Sequence, residues 1–161
     1  MDMLVQMVLV LILLLGSALI SGAEVAFFSL SPATIKEASE DSDRTKRLMA
    51  KLQSNPKRLL TTILVANNLI NISIVLLFAS MNFAILESIP NHWLQVLIKV
   101  AVISAFILTF GEIIPKIYAN RNADSFFLMM TLPLYIADRY LLFLFSYPLS
   151  KLTFFFQKKL Q

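Results

Sequence analysis

The chain has 161 residues, 58% of them hydrophobic and only 15% charged, with a mean hydropathy of +0.75 and a formal net charge of +4. Soluble domains carry about 45–50% apolar and about 25% charged residues, so both departures point to lipid and together exclude disorder. Zero cysteines exclude disulfides, thiolate metal sites and cysteine nucleophiles, and the lone His92 excludes a multi-histidine metal site or a His-based triad within one chain.

The length fits a single transmembrane domain over residues 1–161. From Met3 to Ile20 the sequence carries no charge, and the low-charge run continues to Phe28 with Glu24 its only interruption. About 20 residues at about 1.5 Å each span the hydrocarbon of a bilayer, so a first transmembrane helix is predicted over about 3–28. A cleaved signal peptide needs a basic leading region, and only Asp2 precedes this run. Ser31-Pro32 is a helix start, with Ser at the cap and Pro in the first turn. Residues Pro32 to Pro56 hold five basic and four acidic side chains, which predict one or two polar helices outside the bilayer core, ended by Asn55-Pro56. A second uncharged run predicts a span over 59–81, followed by a short loop with Glu87 and Pro90. Trp93 suits a membrane interface, and a third span is predicted over 94–115, with Lys99 placed to snorkel outwards. Pro115 removes a backbone donor and is expected to bend or end that helix. Residues 125–156 are apolar but interrupted by Pro133, the Asp138-Arg139 pair and Pro148. They predict a bent juxtamembrane or interfacial helix pair, with a fourth complete span as the alternative. The expected fold class is therefore an all-α membrane protein with three transmembrane helices, a polar helical insert and a C-terminal juxtamembrane pair.

Seven of the fourteen Lys and Arg lie between Lys36 and Arg58, mixed with acids. This is no nucleic-acid surface, and in a membrane protein it is a topology signal. The connection between spans two and three has no Lys or Arg. The first connection is thus expected in the cytoplasm, the second outside, the N-terminus outside and the C-terminus cytoplasmic, in a multi-pass protein of the cell's inner (plasma) membrane.

Polar groups at bilayer depth are expensive unless they face protein, water or an ion, so function is sought there. Ser17, Ser21 and Glu24 fall on one helical face; small-residue helix packing explains the serines but does not require the carboxylate. Asn67 and Asn71 share a face, and Asn68 lies three before Asn71; interhelical hydrogen bonding is the plain reading, but three amides in five residues exceed what packing needs. Gly111, Glu112, Pro115 and Lys116 make the third group. Glu112 and Lys116 have i,i+4 ion-pair spacing, while Gly beside Glu with Pro three residues on frees carbonyls next to a carboxylate. All these donors are hard oxygens, which suit Mg²⁺, Ca²⁺ or Na⁺ rather than Zn²⁺ or Cu.

Three stretches add a resemblance. Ser21-Gly22-Ala23-Glu24-Val25-Ala26-Phe27-Phe28-Ser29-Leu30 resembles the SGxETAxFSL stretch of the CorC/CNNM (cyclin M-type) magnesium transporters. Leu60 to Asn71 resembles the LLTTILIGNNLVN stretch of the second span, and Gly111-Glu112-Ile113-Ile114-Pro115-Lys116 matches GEIIPK. Ala23 and Val25 depart from the usual Ser and Thr, and Ala66 from the usual Gly. The resemblance covers roughly residues 5–150 and implies a homodimer in the lipid bilayer, with Mg²⁺ bound between the helices and Na⁺ as coupling ion. It implies ligands at Ser17, Ser21, an asparagine among Asn67, Asn68 and Asn71, and Glu112 with backbone near Gly111. Glu24, Pro115 and Lys116 would shape helix ends or the cytoplasmic mouth. Relatives continue into cytoplasmic CBS domains, which these residues do not include. A transporter with no enzymatic activity and no nucleic-acid partner is the expectation. A non-transporting membrane sensor or accessory subunit is the alternative, and an intramembrane enzyme is disfavoured because Asp138 stands alone.

Overall fold

A computed structural model describes residues 2–140. Its elements are α1 (Met3–Ser29), α2 (Pro32–Glu40), α3 (Arg44–Gln53), α4 (Pro56–Ala79), α5 (Ala84–Glu87), α6 (His92–Phe106), a π-helical segment (Ile107–Ile113), α7 (Ile114–Arg121) and α8 (residues 123–140). Three helices are long and apolar enough to cross a membrane: Met3–Ser29, Pro56–Ala79 and the continuous His92–Arg121. Large apolar side chains such as Leu11, Leu15, Leu64, Leu76, Leu97 and Leu108 stand exposed along them. An outward-facing apolar surface of this kind is stable only against lipid or protein. The chain is an all-α membrane protein.

The local rules explain most boundaries. Ser31 caps α2 by accepting the Thr34 amide at 3.1 Å, with Pro32 in the first turn, and Asp43 caps α3 by accepting the Thr45 amide at 2.8 Å. Between them Lys46 bonds Asp41 at 2.6 Å and holds its carboxyl below the usual carboxylate range.

Several boundaries differ from expectation. The polar insert ends where expected, with α3 closing at Gln53, but Asn55-Pro56 also starts α4, because proline suits the first helical turn, so the second span begins at Pro56 rather than Leu59. The loop after it contains the one-turn α5. Pro115 does not end the third span. Just before it the backbone widens into the π-helical segment, where the Ile114 amide donates to the Thr109 carbonyl, and the helix resumes to Arg121. Pro133 leaves α8 unbroken to residue 140. Its ring lies on the exposed side, while Phe126, Phe127, Met130 and Leu134 anchor the opposite side in the core. The helix is thus held by packing where its hydrogen bonding is weakest. The remainder of the expected juxtamembrane pair, residues 141–156, lies outside the described residues.

Lys99 also departs from expectation. Its ammonium does not reach outwards but is buried, donating to the carbonyls of Ala79 (3.3 Å) and Met81 and lying 5.8 Å from the Phe83 ring centre. The last carbonyls of α4 have no helical donors and carry the negative end of its dipole, so they hold the cation closer than water would. Lys99→Met is expected to lower stability by about 2 kcal/mol, the scale of a charged hydrogen bond removed from buried acceptors. The thermal midpoint in detergent reads this, and an unchanged midpoint would show that the cap contributes nothing.

Two apolar clusters hold the helices. One gathers Ala23, Ala26 and Phe27 of α1 with Met49, Leu52, Leu59, Ile63, Ala119, Phe127 and Leu134. The other joins Val10, Ile74, Met81, Ile103 and Ile107. Along α1, along α4 and along the third span, the polar residues lie between these two clusters.

Candidate functional site

Ser17 stands 14 residues into α1, about 21 Å along a helix about 40 Å long, and is fully buried. Its hydroxyl lies 2.6 Å from Asn71 Oδ1 and 3.3 Å from Asn67 Oδ1, both on α4. Asn71 Nδ2 donates to Glu112 Oε1 at 3.1 Å. The Asn71 amide thus turns its nitrogen to Glu112 and its oxygen to Ser17. Ser17 has a single proton to share between two amide oxygens. The result is a layer of oxygen-bearing side chains drawn from three helices.

Gly111 brings the third span close enough. A Cβ there would lie 3.1 Å from Ser17 Oγ and 3.5 Å from Leu14 Cδ1, tighter than an ordinary contact on the first count. The adjoining π-helical segment sets Glu112 towards α4. In its i→i−5 register the Phe110 carbonyl would pair with residue 115, which is proline and has no N–H. A cavity of about 500 Å³ lies between α4 and this segment, lined by Asn71, Val75, Ser104, Ile107, Leu108 and Glu112. The Asn71–Glu112 end of the polar layer is therefore reachable from outside the subunit.

Of the residues singled out in the sequence, Ser17, Asn67, Asn71, Gly111 and Glu112 come together. Ser21, one turn along α1, is fully buried, and its hydroxyl has no hydrogen-bond partner among the described residues. A buried hydroxyl without a hydrogen bond is costly and needs an explanation. Asn68 is exposed on another side of α4. Glu24 and Lys116 are elsewhere: they form an ion pair at 2.9 Å that ties α1 to α7, in place of the Glu112–Lys116 pair that the spacing allowed. Pro115 lies between the two groups in the chain. Among the described residues no three His, Cys, Asp or Glu side chains cluster, so the layer rests on neutral oxygens and one carboxylate.

A second polar network was not foreseen. Arg58 of α4 grips Asp138 of α8 with two bonds, at 3.0 Å and 2.8 Å, and Thr62 donates to Asp138 at 3.1 Å. The signal was present in the sequence, because a carboxylate in an apolar segment requires a partner. Its partner is Arg58, 80 residues away, and not the adjacent Arg139.

The model of the cyclin M transmembrane N-terminal domain matches residues 8–161. A UPF0053 protein of Synechocystis is 29% identical over 126 residues, which are 77% of this chain and 34% of that protein. A UPF0053 protein of Mycoplasma genitalium is 28% identical over 155 residues, 93% of this chain and 34% of the relative. One from Haemophilus influenzae is 32% identical over 122 residues, 74% and 28% respectively. The chain thus spans about a third of the length of the curated relatives it matches.

Proposed function

We propose that this chain, which belongs to the CorC/CNNM (cyclin M) transmembrane family, moves a divalent cation, Mg²⁺, across the membrane through the layer formed by Ser17, Asn67, Asn71 and Glu112. The observation that carries the reading is the convergence of four hard-oxygen side chains from three spanning helices at mid-depth, with one Ser17 hydroxyl between two amide oxygens. A dication is the natural occupant of such a layer. It replaces the shared Ser17 proton contacts with metal–oxygen contacts and offsets the Glu112 charge. Ser21, whose buried hydroxyl has no hydrogen-bond partner among the described residues, is a further oxygen on the same route. One carboxylate among neutral donors holds the ion reversibly, as transport requires.

The other elements of the proposal follow from the same chemistry. Na⁺, also a hard cation, is the coupling ion. Two copies form the working unit, because a half-buried carboxylate beside an open groove does not face acyl chains and a second subunit covers it. The Lys- and Arg-rich side lies in the cytoplasm and the N-terminus outside. The protein works in transport and not as an enzyme.

The test is Mg²⁺ flux into proteoliposomes together with calorimetric binding to the purified chain. Saturable binding and flux are expected, with metal–oxygen distances of about 2.0–2.1 Å in a Mg²⁺-bound structure, against about 2.3–2.6 Å for Ca²⁺. Absence of any divalent binding would overturn the proposal.

A further inference from the structure

A cavity of about 370 Å³ opens where the first turn of α4 meets α3 and α8. Three cations line it, Lys51, Arg58 and Arg139, against the single carboxylate of Asp138. Arg58 is already engaged by Asp138. Lys51 and Arg139 are exposed and form no ion pair among the described residues. Asn55 makes no side-chain cap to α4, so the first-turn amides and the positive dipole end of a 24-residue helix open beside the same cavity.

The walls are not only charged. The half-buried Tyr135 stands in its lining, backed by the core residues Leu52 and Leu59. A free phosphate would satisfy the cations but leave the Tyr135 side chain uncovered. The level in the membrane is set by α4, which begins its span at Pro56, so the cavity stands where lipid headgroups lie. Basic pockets between membrane helices at this level suit anionic headgroups.

We propose that this cavity is a binding site for the headgroup of an anionic phospholipid. Lys51 and Arg139 take the phosphate, and Tyr135 borders the glycerol. Because Arg58 also clamps α8 to α4, a lipid seated here stabilises the junction between the polar insert and the spanning helices. The site is independent of the proposed ion layer.

The experiment follows the thermal midpoint of the full chain in neutral detergent during titration with phosphatidylglycerol, phosphatidylcholine or inorganic phosphate. Wild type is compared with the double variant Lys51→Gln/Arg139→Gln and with a control, Lys36→Gln/Arg47→Gln, altered at exposed cations of α2 and α3 outside the cavity. All four positions are exposed, so the fold is retained, and circular dichroism verifies it. Phosphatidylglycerol is expected to raise the midpoint, with a half-point shifted roughly twenty-five-fold higher in the double variant, about fivefold per lost charge, and unshifted in the control. An unshifted double variant, an equal shift in the control, or an equal effect of phosphatidylcholine would overturn the site. Saturation by inorganic phosphate alone, lost in the double variant, would reassign the cavity to a soluble anion.

Discussion

Glu112→Gln is expected to abolish Mg²⁺ binding and flux while the helices stay folded. The substitution keeps the side-chain shape, and a glutamine oxygen still accepts the Asn71 amide that now bonds Glu112 at 3.1 Å. Only the charge is lost. Removal of a partner that merely orients a metal ligand weakens metal affinity about 10–100-fold, so loss of the sole carboxylate in the layer should exceed about a hundredfold. Calorimetry on the purified variant reads this directly, with proteoliposome flux as the second measurement. A variant that binds and moves Mg²⁺ as the wild type does would remove Glu112 from the site and leave the neutral oxygens without a reason to hold a dication.

The second large effect concerns packing. Gly22→Val is expected to destabilise the chain by about 2–3 kcal/mol, the upper range for overfilling a packed interior. A Cβ at Gly22 would lie 2.5 Å from Phe126 Cζ and 2.8 Å from its Cε1, and the ring is buried with an edge contact to Tyr118. The ring cannot yield without opening the cluster of α1, α7 and α8. The double variant Gly22→Val/Phe126→Ala tests the cause, because removing the ring relieves the clash. Additive losses in the double-mutant cycle would show that Gly22 serves some purpose other than admitting Phe126.

Much of this architecture was legible in the sequence because lipid imposes simple rules. Apolar, charge-poor runs of span length located the three helices of crossing length among the described residues, and Ser31 and Pro32 marked the start of α2. The 3.6-residue period put Asn67 and Asn71 on one face, but with Asn68 three before Asn71 it left all three as candidates, and only the structure shows Asn68 exposed on another side. What periodicity cannot give is depth and partner. Ser17 and Ser21 share a face, yet they differ by about 6 Å along the axis, and only the former is level with the asparagines. Lys116 had two acids to choose from, and local spacing favoured the wrong one because nothing in a single helix reveals what the next presents. The same limit hid Asp138 from Arg58. Prolines misled in both directions: Pro56 opened a helix read as closing one, and Pro115 and Pro133 sit within helices whose packing outweighs a missing donor.

The position of the polar layer between two apolar clusters has a mechanical consequence. Each cluster is a closely packed apolar plug, and the oxygens lie between the two. On the proposed transport function, parting both at once would create a leak down which any small solute could run. Passage through such a double-sealed lock would go by turns, with one gate shut before the other yields, and its tempo would be set by the slower of two packing rearrangements rather than by the ion's own diffusion.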